Sequence, residues 1–210
     1  MKIYDISLDL NNDTIIYPNN VPVSIETHAK MPEASTHLSK ITMGTHSGTH
    51  VDAPMHAVID APSLDQIPLE TFIGEVKVFD MSHRKGGEAV MISDFEEKGG
   101  VYEGQRILVK TSNSERGFDE FYDDYVYLDG DCADWLVEKK IKLFGIDYLS
   151  IKQRGSNDHR PHTSLLEANI PIIEAVNLKD ISEGNYEIYC LPLKFKGVEG
   201  CPVRAVLIER

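Results

Sequence analysis

Short apolar or alternating runs occupy most of the chain, and turn-forming clusters cut them off at Tyr17–Asn20 (YPNN), Arg84–Gly87 (RKGG) and Glu97–Gly100 (EKGG). This pattern predicts strands in KIYDISLDL, VPVSIET, HLSKITM, EVKVFDM, RILVKTS, DYVYLD, KLFGID, IPIIEAV, YEIYCLPLKF and PVRAVLIE. Many are rich in Val, Ile and Tyr, which pack well on a pleated surface. Helical spacing is rarer. DCADWLVEKK carries Ala133, Leu136 and Val137 on one face, with Asp131 as its expected cap. ISDFEEKGG sets Ser93 ahead of Glu96 as a capping box and then stops at glycine. HTSLLEANIP reads as a short helix, with Pro171 either ending it or opening the next strand. The stretch DCADWLVEKKIKLFGID resembles a helix followed by a buried strand, as in a β-α-β unit. The expected architecture is α/β: a single domain spanning 1–210, with a central curved mixed β-sheet or barrel-like core flanked by a few helices.

Composition narrows the partners. With 210 residues, 41% hydrophobic, the chain can bury a core of its own. Its formal charge of -13 repels phosphate backbones and anionic headgroups, so no nucleic acid and no membrane are expected as partners. Asp5 and Asp9 interrupt any leader-like apolar run near the start, and no later run reaches the ~20 apolar residues of a membrane span. The expectation is a cytoplasmic protein acting on a small molecule. Cys132, Cys190 and Cys201 are scattered, form no CxxC pair and read as reduced structural thiols.

The chemistry concentrates in THSGTHVDAPMH, which puts three of the eight histidines and an aspartate into the span from Thr45 to His56. His46, His50, Asp52 and His56 share parity, so an extended backbone would aim all four side chains to one side. A helix would pair His46 with His50 but turn Asp52 away, and Gly44, Gly48 and Pro54 oppose a helix. Imidazole nitrogens with a carboxylate oxygen are the donor set for zinc, manganese or iron. Gly44 and Gly48 would permit close backbone approach or a positive φ, and Thr45 and Thr49 would donate hydrogen bonds to the ligands. The competing reading is a surface or core histidine cluster without a metal.

A second donor segment is sought downstream in SNDHRPHTSLLEANIPIIEAVNL, which offers Asp158, His159, His162, Glu167 and Glu174. Glu174 interrupts an apolar run, where an ionised carboxylate must be paired or metal-bound because burying it alone is costly. The alternative for Glu174 is a strand end that reaches solvent. His159 and Glu167 read as solvated, and His28, His37 and His83 as structural or exposed.

HSGTHVDAPMH resembles the signature of the cyclase-like metal-dependent hydrolase family, whose members include bacterial kynurenine formamidases (arylformamidases) and isatin hydrolase. The resemblance continues through YDISLDLNNDTIIYPNN, IPLETFIGEVKVFDM, GIDYLSI, HTSLLEANIPIIEAVNL and YCLPLKFKGVEGCPVRAVLIE. It implies the family's swivelling β/β/α fold and a hydrolase of formamide or amide C–N bonds. It further implies that His46, His50 and Asp52 bind one metal, that Asp52 bridges to a second held by His162 and Glu174, and that His56 is the catalytic acid/base. Two zinc ions per subunit are the implied cofactor, with manganese also compatible, and homodimers or homotetramers are the implied assembly. Tyr17 falls where the formamidases carry a substrate-facing tryptophan in a Trp-Pro-Gly-Asp turn. Here that turn reads Tyr17-Pro18-Asn19-Asn20. Arylformamidase activity is the leading expectation. The alternatives are hydrolysis of another cyclic amide, imide or lactone, and a metal cage without chemistry. A serine hydrolase lacks its GxSxG elbow here, and a structural zinc module would be closed and richer in cysteine.

Overall fold

Apolar runs that lack alternation become interior strands. RILVK is buried at every position, with Leu108 facing one apolar cluster and Ile107 and Val109 facing another. The computed structural model describes residues 1–210. In chain order its strands are β1 (Lys2–Asp5), β2 (Ser24–Ala29), β3 (Leu38–Thr42), β4 (His50–Asp52), β5 (Ile73–Asp80), β6 (Ala89–Val90) and β7 (Arg106–Lys110). They continue with β8 (Tyr127–Leu128), β9 (Leu143–Ile146), β10 (Ile172–Glu174), β11 (Gly184–Tyr189), β12 (Gly200–Pro202) and β13 (Val206–Glu209). The α-helices are α1 (Ile92–Glu97), α2 (Ser112–Arg116), α3 (Gly130–Glu138) and α4 (Arg160–Glu167).

Nine strands form one curled mixed sheet in the order β1-β13-β11-β5-β7-β9-β10-β4-β12. Its centre is parallel (β5-β7-β9-β10), its flanks antiparallel. On one face Phe95 of α1, Leu136 of α3 and Leu165 of α4 cover Phe144, Ile146 and Ile172. On the other, the sheet curls over Val51, Leu108, Ile173 and Leu207. Each such fully buried aliphatic side chain contributes about 1.5–3 kcal/mol. This is the α/β architecture with a curved mixed sheet expected from the pattern.

Several local expectations are corrected. Asp129, not Asp131, caps α3: its carboxylate accepts from the N–H groups of Asp131 and Cys132. Ser93 is no cap, because α1 begins at Ile92. The Asp94 carboxylate, already gripped by Arg84, accepts from the Met91 N–H instead. Helix α2 was not signalled, since SNSER has no apolar stripe. It forms because Thr111 caps it and the buried Asp147 carboxylate accepts from Thr111 N, Thr111 Oγ1 and Ser114 N. Strands β2 and β3 pair only with each other, and every residue of β3 is exposed, so this hairpin stands off the main sheet.

Candidate metal centre

His50 and Asp52 are alternate residues of β4 and share a face. Antiparallel pairing sets Glu174 of β10 opposite His50 on one side, and Gly200 of β12 opposite Asp52 on the other. The equal-parity expectation holds only for this pair. His46 lies in the turn before β4, and His56 closes the 3-10 turn Pro54–His56 after it. Both reach the same space through bends, because Gly48 reverses the chain at φ 57° and Pro54 starts the second turn. A Cβ on Gly48 would stand 2.6 Å from Leu10 Cδ2, so that leucine would have to shift, and the positive φ is itself strained for any other residue. His162 arrives from the first turn of α4.

The five expected donors converge. His46 Nδ1 is 2.7 Å from Asp52 Oδ1, and His50 Nε2 is 3.4 Å from the same oxygen and 3.5 Å from Glu174 Oε2. His162 Nε2 is 3.2 Å from Glu174 Oε1 and 3.9 Å from Asp52 Oδ2. Two ligand-like groups result, His46/Asp52/His56 and His50/Asp52/Glu174, and Asp52 belongs to both. His56 therefore stands within ligand distance of His46 and Asp52, its ring 4.2 Å from that of His46 and 5.6 Å from that of His162. Glu174 is buried, which decides between its two readings. His159 and Glu167 are exposed. Ala175, the residue after Glu174, takes a left-handed φ of 58°, a conformation that costs about 1–2 kcal/mol without glycine. It is held by its own N–H on Tyr148 O and by the Thr49 hydroxyl donating to its carbonyl.

The site is built for cations. His50 Nδ1–H donates to Gly48 O at 2.8 Å, which turns Nε2 towards the two carboxylates. Three buried atoms, His46 Nε2, His50 Nε2 and Asp52 Oδ2, have no hydrogen-bond partner. Leaving each unsatisfied costs about 1–3 kcal/mol, and a bound divalent ion removes that cost for donors of this N/O type. The residues thus fit a divalent metal. Without one, burial opposes charge on His50, but Asp52 and Glu174 outweigh it and raise its pKa to about 10. Burial likewise opposes charge on Asp52, yet His46 and His50 hold it well below the usual carboxylate range. His56 goes the other way. It is exposed by surface area but lies in a concavity, and desolvation, aided by the His46 and His162 rings, lowers its pKa against the pull of Asp52 and Glu174.

Two residues near the site escaped the sequence reading. Glu199 Oε1 is 3.3 Å from His46 Nε2 and accepts a 2.5 Å hydrogen bond from Thr45 Oγ1, so Thr45 serves an acid and not a histidine directly. Lys152 lines the cavity in front of the donors, about 270 Å³ in volume, together with Tyr17, Asn20 and Leu149. Neither sits in a motif; only the proximity of Glu199 to the glycine of GVEGC hints at a close approach. Tyr17 is packed edge-on against Phe121 at 5.5 Å. Cys201 is buried on β12 and pairs across to Val51, away from the ligand face.

A curled mixed sheet presenting imidazoles and carboxylates around an open cavity defines the class of metal-dependent hydrolases. The comparisons specify it further. The family described as "Putative cyclase" matches residues 4–153. A kynurenine formamidase of Bacillus anthracis is 33% identical over 207 residues, covering 98% of this chain and 97% of its own. A solved structure described as a "predicted metal-dependent hydrolase" from Bacillus stearothermophilus is 32% identical with a TM-score of 0.87, over 100% of this chain and 98% of that one. Isatin hydrolase A from Ralstonia solanacearum shares the fold at 24% identity and TM-score 0.84, over 99% and 92% of the two chains. The chain belongs to the cyclase family.

Proposed function

We propose that this protein hydrolyses the C–N bond of a formamide, with N-formylkynurenine converted to kynurenine and formate as the leading reaction, a step of tryptophan catabolism. One observation supports this reading above the others: Asp52 is common to both donor groups, and its Oδ2, like Nε2 of His46 and of His50, has no partner. We assign two zinc ions per chain, with manganese able to use the same donors. His46, His50 and Asp52 would hold one, and Asp52, His162 and Glu174 the other. When bound, the metal supplies Lewis acidity, lowering the pKa of water from ~16 towards ~7 and polarising a carbonyl.

The chain's own residues do the rest. His56, neutral at pH 7 because its pKa is lowered, accepts the proton of the attacking water. It returns that proton to the departing nitrogen, which leaves poorly as an anion. Tyr17 lines the cavity and supplies an aromatic contact for an aromatic leaving group. Asp52 and Glu174 stay anionic and orient His50 and His162.

The second reading, hydrolysis of a cyclic amide, imide or lactone, is favoured by the Tyr17-Pro18-Asn19-Asn20 turn and by the fold shared with isatin hydrolase. The exposed β2–β3 hairpin favours a homodimer or homotetramer, because an isolated two-stranded hairpin is marginal in water. No helix is long and apolar enough to cross a membrane. The test is elemental analysis and N-formylkynurenine turnover on one sample, before and after dialysis against a chelator. Turnover that survives full metal removal would end the proposal.

A further inference from the structure

Lys152 is the only lysine or arginine lining the cavity in front of the donors. It is half-buried, and its neighbours fix it. Its carbonyl accepts from Tyr125 Oη at 2.5 Å, and the adjacent Ile151 N–H donates to Glu174 Oε1 at 2.8 Å. Its ammonium donates to Ser156 O at 2.6 Å, which uses one of three N–H bonds and leaves two. Like most lysines of the chain it has no carboxylate partner, and what sets it apart is its place in the lining of this cavity. The contrast with Arg154 is direct: that guanidinium is paired with Asp123 at 2.8 Å and lies over the Tyr17 and Phe121 rings. Nor can the one acid that lines the cavity serve Lys152, because Glu174 is engaged by His50, His162 and the Ile151 N–H. Bound cations would add positive charge beside it, so the unmet demand in this cavity is for an anion.

We infer that Lys152 reads a carboxylate on the substrate, which makes the preferred substrates formamides whose aromatic amine part carries a carboxylate. Tyr17, Asn20 and Lys152 line the same cavity as His46, His162 and Glu174, so an aromatic amine whose formyl group reaches the donors shares that space with the ammonium. Charge-assisted hydrogen bonds of this kind discriminate by about 10- to 100-fold. Lysine is suited to the task as a point charge on a flexible stem, and arginine retains the charge in a different geometry.

This inference rests on the formamide hydrolysis proposed above, and its test separates the two. Three probes are compared on the metal-loaded protein: 2-formamidobenzoate, its methyl ester as a neutral match of like shape, and formanilide. The expected result is a kcat/KM for the acid about 10- to 100-fold above that for the ester, expressed mainly in KM. In Lys152→Met that ratio should fall close to one, and Lys152→Arg should restore part of it. Equal treatment of acid and ester by the unmodified protein overturns the inference alone. So does a preference that persists in Lys152→Met, since the carboxylate would then be read by the metals. Failure to hydrolyse any of the three probes, and N-formylkynurenine with them, overturns the formamide reading itself.

Discussion

A single methyl group placed on Gly200 should disable the metal centre. Gly200 lies opposite Asp52 in the β4–β12 ladder and shares its face, and the His46 ring occupies the space its missing side chain leaves. A Cβ there would stand 2.8 Å from His46 Cε1, 3.1 Å from His46 Nε2 and 3.0 Å from Val51 O. Ordinary carbon contacts begin near ~3.5 Å, so about 0.7 Å must be found. Neither neighbour yields easily, one being a rigid ring and the other backbone. If the ring moves, His46 leaves its position by more than the ~0.2 Å that ligand geometry tolerates. If β12 moves, its pairing with β4 weakens. Overpacking of this size costs about 1–3 kcal/mol, equivalent to roughly 5- to 150-fold in metal affinity when it falls on the bound state. Chelator competition followed by elemental analysis measures the first outcome, and thermal unfolding of the apoprotein the second. Gly200→Ala with unchanged metal affinity and unchanged Tm would refute the reasoning.

Other substitutions probe the remaining roles. Asp52→Ala should deplete both of the proposed metals together, and retention of one full equivalent by elemental analysis would argue against a shared ligand. His56→Ala should keep its metal content and lose turnover by about 100-fold or more; metal loss instead would move His56 into the ligand set. Glu199→Gln should weaken metal binding by about 10- to 100-fold by removing the negative charge 3.3 Å from His46 Nε2, with the apoprotein Tm little changed. For Asp94, burial opposes the anion, but Arg84, the Met91 N–H and His83 outweigh it and depress the folded-state pKa. Its contribution is therefore present above the unfolded carboxylate value of about 3.9 and is lost as pH falls through the lower folded value. Asp94→Asn should cost about 1.5–3 kcal/mol at pH 7 and flatten the acid limb of a urea-stability profile.

The sequence disclosed donors better than it disclosed paths. Period-two reasoning works for His50 and Asp52 because β4 is a true strand. It reaches His46 and His56 for the wrong reason, since both sit in turns whose geometry depends on Gly48 and Pro54. Glu174 was legible because a carboxylate in IPII violates the apolar pattern, and the β4–β10 pairing supplies the partner that such a violation demands. Helix α2 and the Asp129 cap were not legible. Both depend on carboxylates, Asp147 and Asp129, whose targets follow only from the folded chain. Glu199 and Lys152 were missed because each looks like an ordinary surface charge until a distant segment is folded against it.

The ladder between β4 and β10 joins two distant stretches of chain at the residues that would carry the ions. A slip of one position would present Ile173 where Glu174 now stands and drive the carboxylate into hydrocarbon. Uptake of a divalent ion would thus act as a proofreading step on the finished chain: molecules zipped out of step would stay empty, and only those aligned correctly would gain the extra stability of a ligated state.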